Sequence, residues 1–240
     1  QEKLDYVSAA ANIGQLSNSK VKIEFVFFSP VNSKMTSLQF KQLYLGRNEG
    51  WQNRDLSKST WGFTKSLIVN NDLAIDYSGL DSIILEGNNL DKSFYVAEAM
   101  MFFRQNQPDN YNEASSTFFE SIVTNEGSID NAILFDSHQK DHPIGITHEI
   151  LHNFGLTDLY GADQSPGQLS IMDGGFSNLM NYEKAVLGWF DPAQILCLTY
   201  EEALNTNIVR NTLSIKNLER DSITLIKTSD KNAYILEVQH

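Results

Sequence analysis

A single cysteine stands among the 240 residues, so no internal disulfide can form and the fold must rest on packing. Long hydrophobic runs are missing too. Nothing approaches the ~18 consecutive apolar residues of a membrane-spanning helix. Positive charge is scarce, with 18 Lys and Arg against 30 Asp and Glu. The resulting net charge of −12, with a pI near 4.8, repels phosphates and argues against a nucleic-acid partner. No Asn-x-Ser/Thr acceptor occurs, so a glycosylated eukaryotic secretory origin gains no support. No repeat, low-complexity tract, or Pro- or Gly-rich linker divides the chain. The opening residues, QEKLDYVSAA, lack the basic flank and apolar core of a signal peptide. The chain is therefore expected to be cytosolic, or to have lost a signal or pro-segment.

What is present is ordinary for a globular protein: 41% hydrophobic and 20% charged residues, in a length that fits one large domain or two closely packed subdomains. VKIEFVFF (21–28), SLIV (66–69), SIILEG (82–87) and NAILF (131–135) read as strands. SFYVAEAMMFFRQ (93–105) has apolar residues at helical spacing, with Asp91 as N-cap and Met100, Met101, Phe102 and Phe103 as core packing. STFFESIV (116–123) reads as another helix. Alternating strands and helices over the first 150 residues predict a layered α/β (α+β) sheet. Beyond Gly155, Gly-rich turns lead to a helix around NYEKAVLGW. TLSIKNL, SITLIKT and AYILEV then alternate like a β-meander. The expected division is an α/β subdomain over 1–155, a second subdomain over 156–200, and a meander over 201–240 that begins a longer β-rich region. Cys197, in AQILCLTY, reads as a buried, inert thiol.

The densest chemistry lies in GITHEILHNFGLTDLYG (145–161). Helical residues four apart differ by about 40° in azimuth and about 6 Å along the axis, so His148 and His152 can aim imidazole nitrogens at one ion. Neutral imidazole is a standard zinc ligand. Glu149 then lies beside the metal, where it can take a proton from a water and return it to a leaving amine. Gly155 falls where the helix would end in a left-handed residue. The chain can then reverse and bring Asp158 back as a third ligand, leaving one position open. A bare H-E-x-x-H arises by chance in roughly one chain per hundred of this length. The added Gly and Asp lower that by about two to three orders of magnitude. Two surface histidines on an amphipathic helix explain poorly why Glu149 would face inward among Ile146, Ile150 and Leu151. His138 and His142, in SHQKDHPIG, read as a solvated loop, with a second metal or a substrate contact as the alternative. His240 carries no signal.

HEILHNFGLTDLYG resembles the zinc-binding signature of the metzincin clan in its Asp-ended form. More narrowly, it resembles the immune inhibitor A family of bacterial secreted metallopeptidases. SIMDGG supplies the downstream methionine, Met172, and NYEKAVLGWFDP supplies Lys184, Leu187, Gly188, Trp189 and Pro192. The resemblance covers about residues 143–192. It implies a secreted or cell-surface bacterial zinc endopeptidase acting on protein or peptide substrates. The implied fold is metzincin-like: a mixed twisted sheet with helices above the cleft, an irregular lower subdomain and a C-terminal meander. His148, His152 and Asp158 would hold Zn2+, Glu149 would act as general base, and Met172 would form the hydrophobic turn beneath the metal. Many metzincins carry an oxyanion-stabilising tyrosine two residues after that methionine; here the position is Gly174. Tyr160 and Tyr182 are the candidates for that role, against plain packing. Ca2+ is also implied, with oxygen ligands in NNDLAID and YGADQS but no recognisable loop. An edge strand would pair with extended substrate, and NAILF is the nearest candidate. Two alternatives stand: Glu183 as third ligand in place of Asp158, or a catalytically inactive, metal-stabilised binding module.

Overall fold

The computed structural model describes residues 2–46, 59–87, 97–102, 118–119, 121–136, 142–160, 169–174, 178–190, 192–204, 223–230 and 232–237. Its architecture is α+β, with helices and small mixed sheets in two compact units, Gln1–Ala9 with Glu24–Phe154 and Ala10–Ile23 with Gly155–His240. Among the described residues no helix is long and apolar enough to cross a membrane.

The first unit is organised on strand β6, Asn131–Asp136, flanked by β1, Ile83–Gly87, and β2, Ala97–Phe102. Sheet order is β1-β6-β2-β3, where β3 is Phe118–Phe119. β1 runs parallel to β6 with Ile83 opposite Ala132; β2 runs antiparallel to it with Ala99 opposite Ile133. Residues 132–135 are all buried, as expected of a strand covered on both faces. Ala132 and Leu134 join one core with Trp61, Ile68, Tyr77, Met100, Ile122 and Ile129. By alternation, Ile133 and Phe135 face the opposite side. β6 is therefore an interior strand. NAILF cannot add a substrate strand, because both of its hydrogen-bonding edges are taken by β1 and β2.

Helices α1 (Glu2–Leu16), α2 (Ser37–Leu45) and α3 (Thr60–Asn71) precede this sheet. Thr36 and Gln39 form a capping box at α2, and Phe40 meets Phe63 of α3 with ring centroids 5.3 Å apart. Ser59 Oγ accepts from Gly62 N at 3.1 Å, starting α3, and Trp61, Thr64 and Ile68 bury at helical spacing. Residues 66–69, expected as a strand, are thus one turn of a capped helix. The expected helix over 93–105 is corrected the other way. Residues 97–102 form β2, because pairing along β6 gives Met100 a buried site in the sheet core. Asp91, Phe103 and the side chains of Met101 and Phe102 lie outside the described set. STFFESIV is not a helix either. It contributes β3 and β4 (Ile122–Val123), and β4 pairs with β5, Ser128–Ile129. VKIEFVFF joins no sheet among the described residues. Its Phe25 and Phe27 instead pack edge-on against Tyr6 at 5.0 and 5.6 Å, and the Tyr6 hydroxyl donates to Glu86 Oε2 at 2.8 Å.

The second unit holds a three-stranded sheet of β7 (Ile195–Thr199), β8 (Ile223–Lys227) and β9 (Ala233–Glu237), in that order. β8 and β9 make the antiparallel hairpin expected of SITLIKT and AYILEV, but β7 runs parallel to β8. TLSIKNL lies outside the described residues. Cys197 is on β7 and is exposed, which corrects the buried reading. Apolar neighbours do not bury it, because this strand turns Cys197 and Thr199 outward.

Candidate metal centre

The histidine-bearing segment is helix α4, His142–Asn153. Pro143 sits in its first turn, where a missing N–H costs nothing, and its carbonyl accepts from Thr147 Oγ1 at 2.7 Å. Ile146, Ile150 and Leu151 are buried, and the helix packs on β2 and β6. Asn153 Nδ2 donates to Ser82 Oγ at 2.9 Å, tying the helix end to the start of β1. His148 and His152 lie at the edge of this buried face, each half-buried.

Their Nε2 atoms are 3.1 Å apart and the rings stand at 85°. Two nitrogens sharing one zinc at about 2.0–2.1 Å and a tetrahedral angle would be about 3.4 Å apart. The observed separation corresponds to an angle of about 98° at the same bond length, close to what the ion requires. Nitrogens at this separation can share a proton as a hydrogen bond, or, both deprotonated, hold one ion between them.

α4 stops where expected. Phe154 N donates to Leu151 O at 3.1 Å, and Gly155 adopts φ 98°, a left-handed conformation that L side chains resist. Asp158 follows three residues later, exposed. Ligand atoms of His148, His152 and Asp158 all lie within 4.8 Å of one another. Among the described residues this is the group able to hold a metal ion. Two imidazoles and a carboxylate suit zinc, and three protein ligands leave a fourth position for water or substrate.

Glu149 is 5% exposed, on the buried side of α4 beside the first histidine, and is not one of the three clustered residues.

Met172 is fully buried, in a 3₁₀ turn over Ile171–Asp173. Ser170 Oγ accepts from Met172 N at 3.0 Å and so starts the turn; Gly174 ends it with φ 71°, ψ 15°. That left-handed conformation explains the glycine where the resemblance led one to expect tyrosine. Leu159 N donates to Met172 O at 2.8 Å, which fixes the residue after Asp158 to the turn.

Lys184, Leu187, Gly188 and Trp189 also acquire a physical reason. Helix α5, Asn181–Val186, ends with Gly188 N donating to Ala185 O at 3.0 Å and Trp189 N to Lys184 O at 2.8 Å. Gly188 has φ 69°. This is a Schellman closure, needing glycine at the left-handed position and burying the residue after it; Trp189 is 4% exposed.

Glu183 is 5% exposed and its Oε2 accepts from Ser170 Oγ at 2.7 Å and Met180 N at 2.8 Å. Burial is the largest influence on its carboxyl and pushes it above its ordinary 4.5; the two hydrogen bonds pull back, and Glu237 and Asp173 add to the rise. Its oxygen therefore serves the Met172 turn and the start of α5. Ser170 was passed over in the sequence, although a serine two residues before Met172 is a readable turn cap.

Tyr160 and Tyr182 are both exposed, and Tyr182 N donates to Glu237 Oε2 at 2.9 Å. Neither belongs to the clustered group. His138, His240 and Gly161–Ser165 of YGADQS lie outside the described residues, as does the side chain of His142. In NNDLAID, Asp72 accepts from Asn125 N at 3.0 Å and Asp76 from Ser78 N at 2.9 Å, so both carboxylates serve turns. No family model matches this chain, nor does any curated protein or solved structure, so the functional reading rests on the geometry around His148, His152 and Asp158.

Proposed function

We propose that the chain is a zinc-dependent endopeptidase with a metzincin-like fold, secreted from a bacterium or held at its surface. The observation that carries the reading is the convergence of His148, His152 and Asp158 within 4.8 Å, with Glu149 buried beside the first ligand. The resemblance to the immune inhibitor A family supports the same residues, and with them the secreted, bacterial assignment. Zinc, when bound, supplies a Lewis acid for a peptide carbonyl and brings a water's pKa to about 7.

The chain's own residues do the rest. His148 and His152, held on a helix backed by the sheet, orient the ion's open side. Asp158 adds a negative charge to the ligand set, which moderates the ion's field on the carbonyl relative to a third histidine. Glu149 accepts the proton lost by the attacking water and delivers it to the departing amine nitrogen. By the resemblance, Met172 would floor the site with an apolar side chain, and Asp158 is favoured over Glu183 because it clusters with the two histidines, whereas Glu183 Oε2 accepts from Ser170 and Met180.

The test is digestion of a peptide mixture with and without a chelator, alongside zinc analysis of the purified protein. Cleavage that the chelator abolishes and zinc restores is expected. A protein holding stoichiometric zinc that cleaves nothing would instead favour the metal-stabilised binding module. One that holds no zinc would remove both readings.

A further inference from the structure

We propose that a groove on the first unit, walled by the turn at 32–35 and by helices α2 and α3, binds a small amphipathic carboxylate, one negative charge on an unbranched apolar body. None of its described lining residues belongs to the His148, His152 and Asp158 cluster, so the site is independent of the metal reading. Its volume is about 690 Å³, inside the ~300–1,000 Å³ of small-molecule sites. The floor is apolar. Met35, Leu43, Phe63 and Leu67 line it and each is only half-buried, leaving apolar surface in water inside a concavity. An apolar body laid there removes that surface from water, which is about fourfold in affinity for each buried CH₂.

The rim is cationic. Lys34 and Lys65 line the same groove, and none of its described lining residues is acidic. Among the described residues neither ammonium pairs with a carboxylate. Lys65 Nζ instead stands 4.9 Å from the centroid of the Trp61 ring, attracted by the π face without being neutralised. Lys34 sits on left-handed backbone at φ 55°, uncommon for a lysine, and Asn32 Oδ1 holds it there by accepting from Lys34 N at 2.8 Å. The sequence is biased the same way. From Phe25 to Asn71 it holds six Lys or Arg and two Asp or Glu, against 12 and 28 in the rest of the chain. A carboxylate at this rim takes charge-assisted hydrogen bonds from the lysines, whereas a cation meets like charge. A polyanion is opposed by the field of a protein of net charge −12, in proportion to its own charge. A single carboxylate on an apolar body matches both the rim and the floor.

The experiment is isothermal titration calorimetry of decanoate, kept below its micelle concentration, into the whole chain. It is run with and without a chelator, because a carboxylate can also bind zinc. One decanoate per chain is expected, with the same affinity in both conditions. Octanoate, two CH₂ groups shorter, should bind about 10- to 20-fold more weakly. Decyltrimethylammonium, with the same apolar body and the opposite charge, should bind at least about tenfold more weakly than decanoate. Lys34→Gln/Lys65→Gln should weaken decanoate about tenfold or more, while Lys227→Gln, on β8, leaves it unchanged. Circular dichroism and thermal melts confirm the fold of each variant. If the double variant does not fold, Lys34→Gln, on an exposed turn, carries the test with an expected loss of about threefold or more. Absence of decanoate binding overturns the proposal, as does equal binding of decanoate and decyltrimethylammonium. So does a folded lysine variant with wild-type affinity. Binding that the chelator abolishes places the carboxylate on the metal and overturns it as well.

Discussion

Replacing Glu149 with glutamine isolates proton transfer from metal binding. The residue is 5% exposed and buried on α4, so alanine would leave a void and confuse packing with chemistry. Glutamine keeps the volume and loses only the ability to take and return a proton. If zinc is held by the clustered His148, His152 and Asp158, the variant should retain it stoichiometrically. A positioned general acid–base contributes about 10²–10⁴ in rate. At 1.36 kcal/mol per decade, kcat/KM should fall by the same factor, a loss of about 2.7–5.4 kcal/mol of transition-state stabilisation. The assay is cleavage of a quenched fluorescent peptide by zinc-saturated protein, with metal content and melting temperature measured on the same sample. Glu149→Gln cleaving within about threefold of wild type would remove Glu149 from the proton path. Loss of zinc would place it in the ligand set.

Gly174→Ala should lower stability by about 1–2 kcal/mol in denaturant unfolding, because φ is 71° while an added Cβ meets nothing within 4 Å; a change below about 0.5 kcal/mol would mean that the turn relaxes. Glu183→Gln should flatten part of the pH dependence of stability. The wild-type carboxyl is pushed above 4.5 in the folded state, so its stabilising contribution is complete below about pH 4.5 and is lost as pH rises through the folded value. The variant should match wild type in acid and gain on it towards neutral pH, and a constant difference at every pH would refute that burden. Cys197 is exposed, so a thiol reagent should modify one cysteine per chain without denaturant; protection until unfolding would restore the buried reading.

What could be read in advance follows the range of the interactions. The α4 segment is a local object: histidine spacing, the glycine break and Asp158 all fall within eleven residues, and helix geometry relates the histidines without reference to any distant residue. The closure of α5 is equally local, because Lys184 to Trp189 contain every group that its last hydrogen bonds use. The failures are tertiary. Residues 97–102 hold Ala-Glu-Ala-Met-Met-Phe, a sequence with respectable helix propensity, and it is the ladder with β6 that makes a strand of them. Residues 66–69 are four apolar-rich residues whose brevity suggested a strand. The signal that should have outweighed it was Ser59, a cap seven residues upstream, with Trp61, Thr64 and Ile68 following at helical spacing.

The same distinction divides the candidate site. A motif states which residue types can meet an ion, but not what keeps the third of them in place once the helix has ended. His148 and His152 are placed by α4, which Ile146, Ile150 and Leu151 anchor to the unit's core. Asp158 lies on irregular chain, where no periodic hydrogen bonding constrains it. The group that holds its neighbour is the carbonyl of Met172, itself set by Ser170 and Glu183 from 12 and 25 residues beyond Asp158 in the sequence. Glu183, which sequence alone admitted as a ligand, is instead engaged through Oε2 by Ser170 and Met180 and stands outside the clustered group.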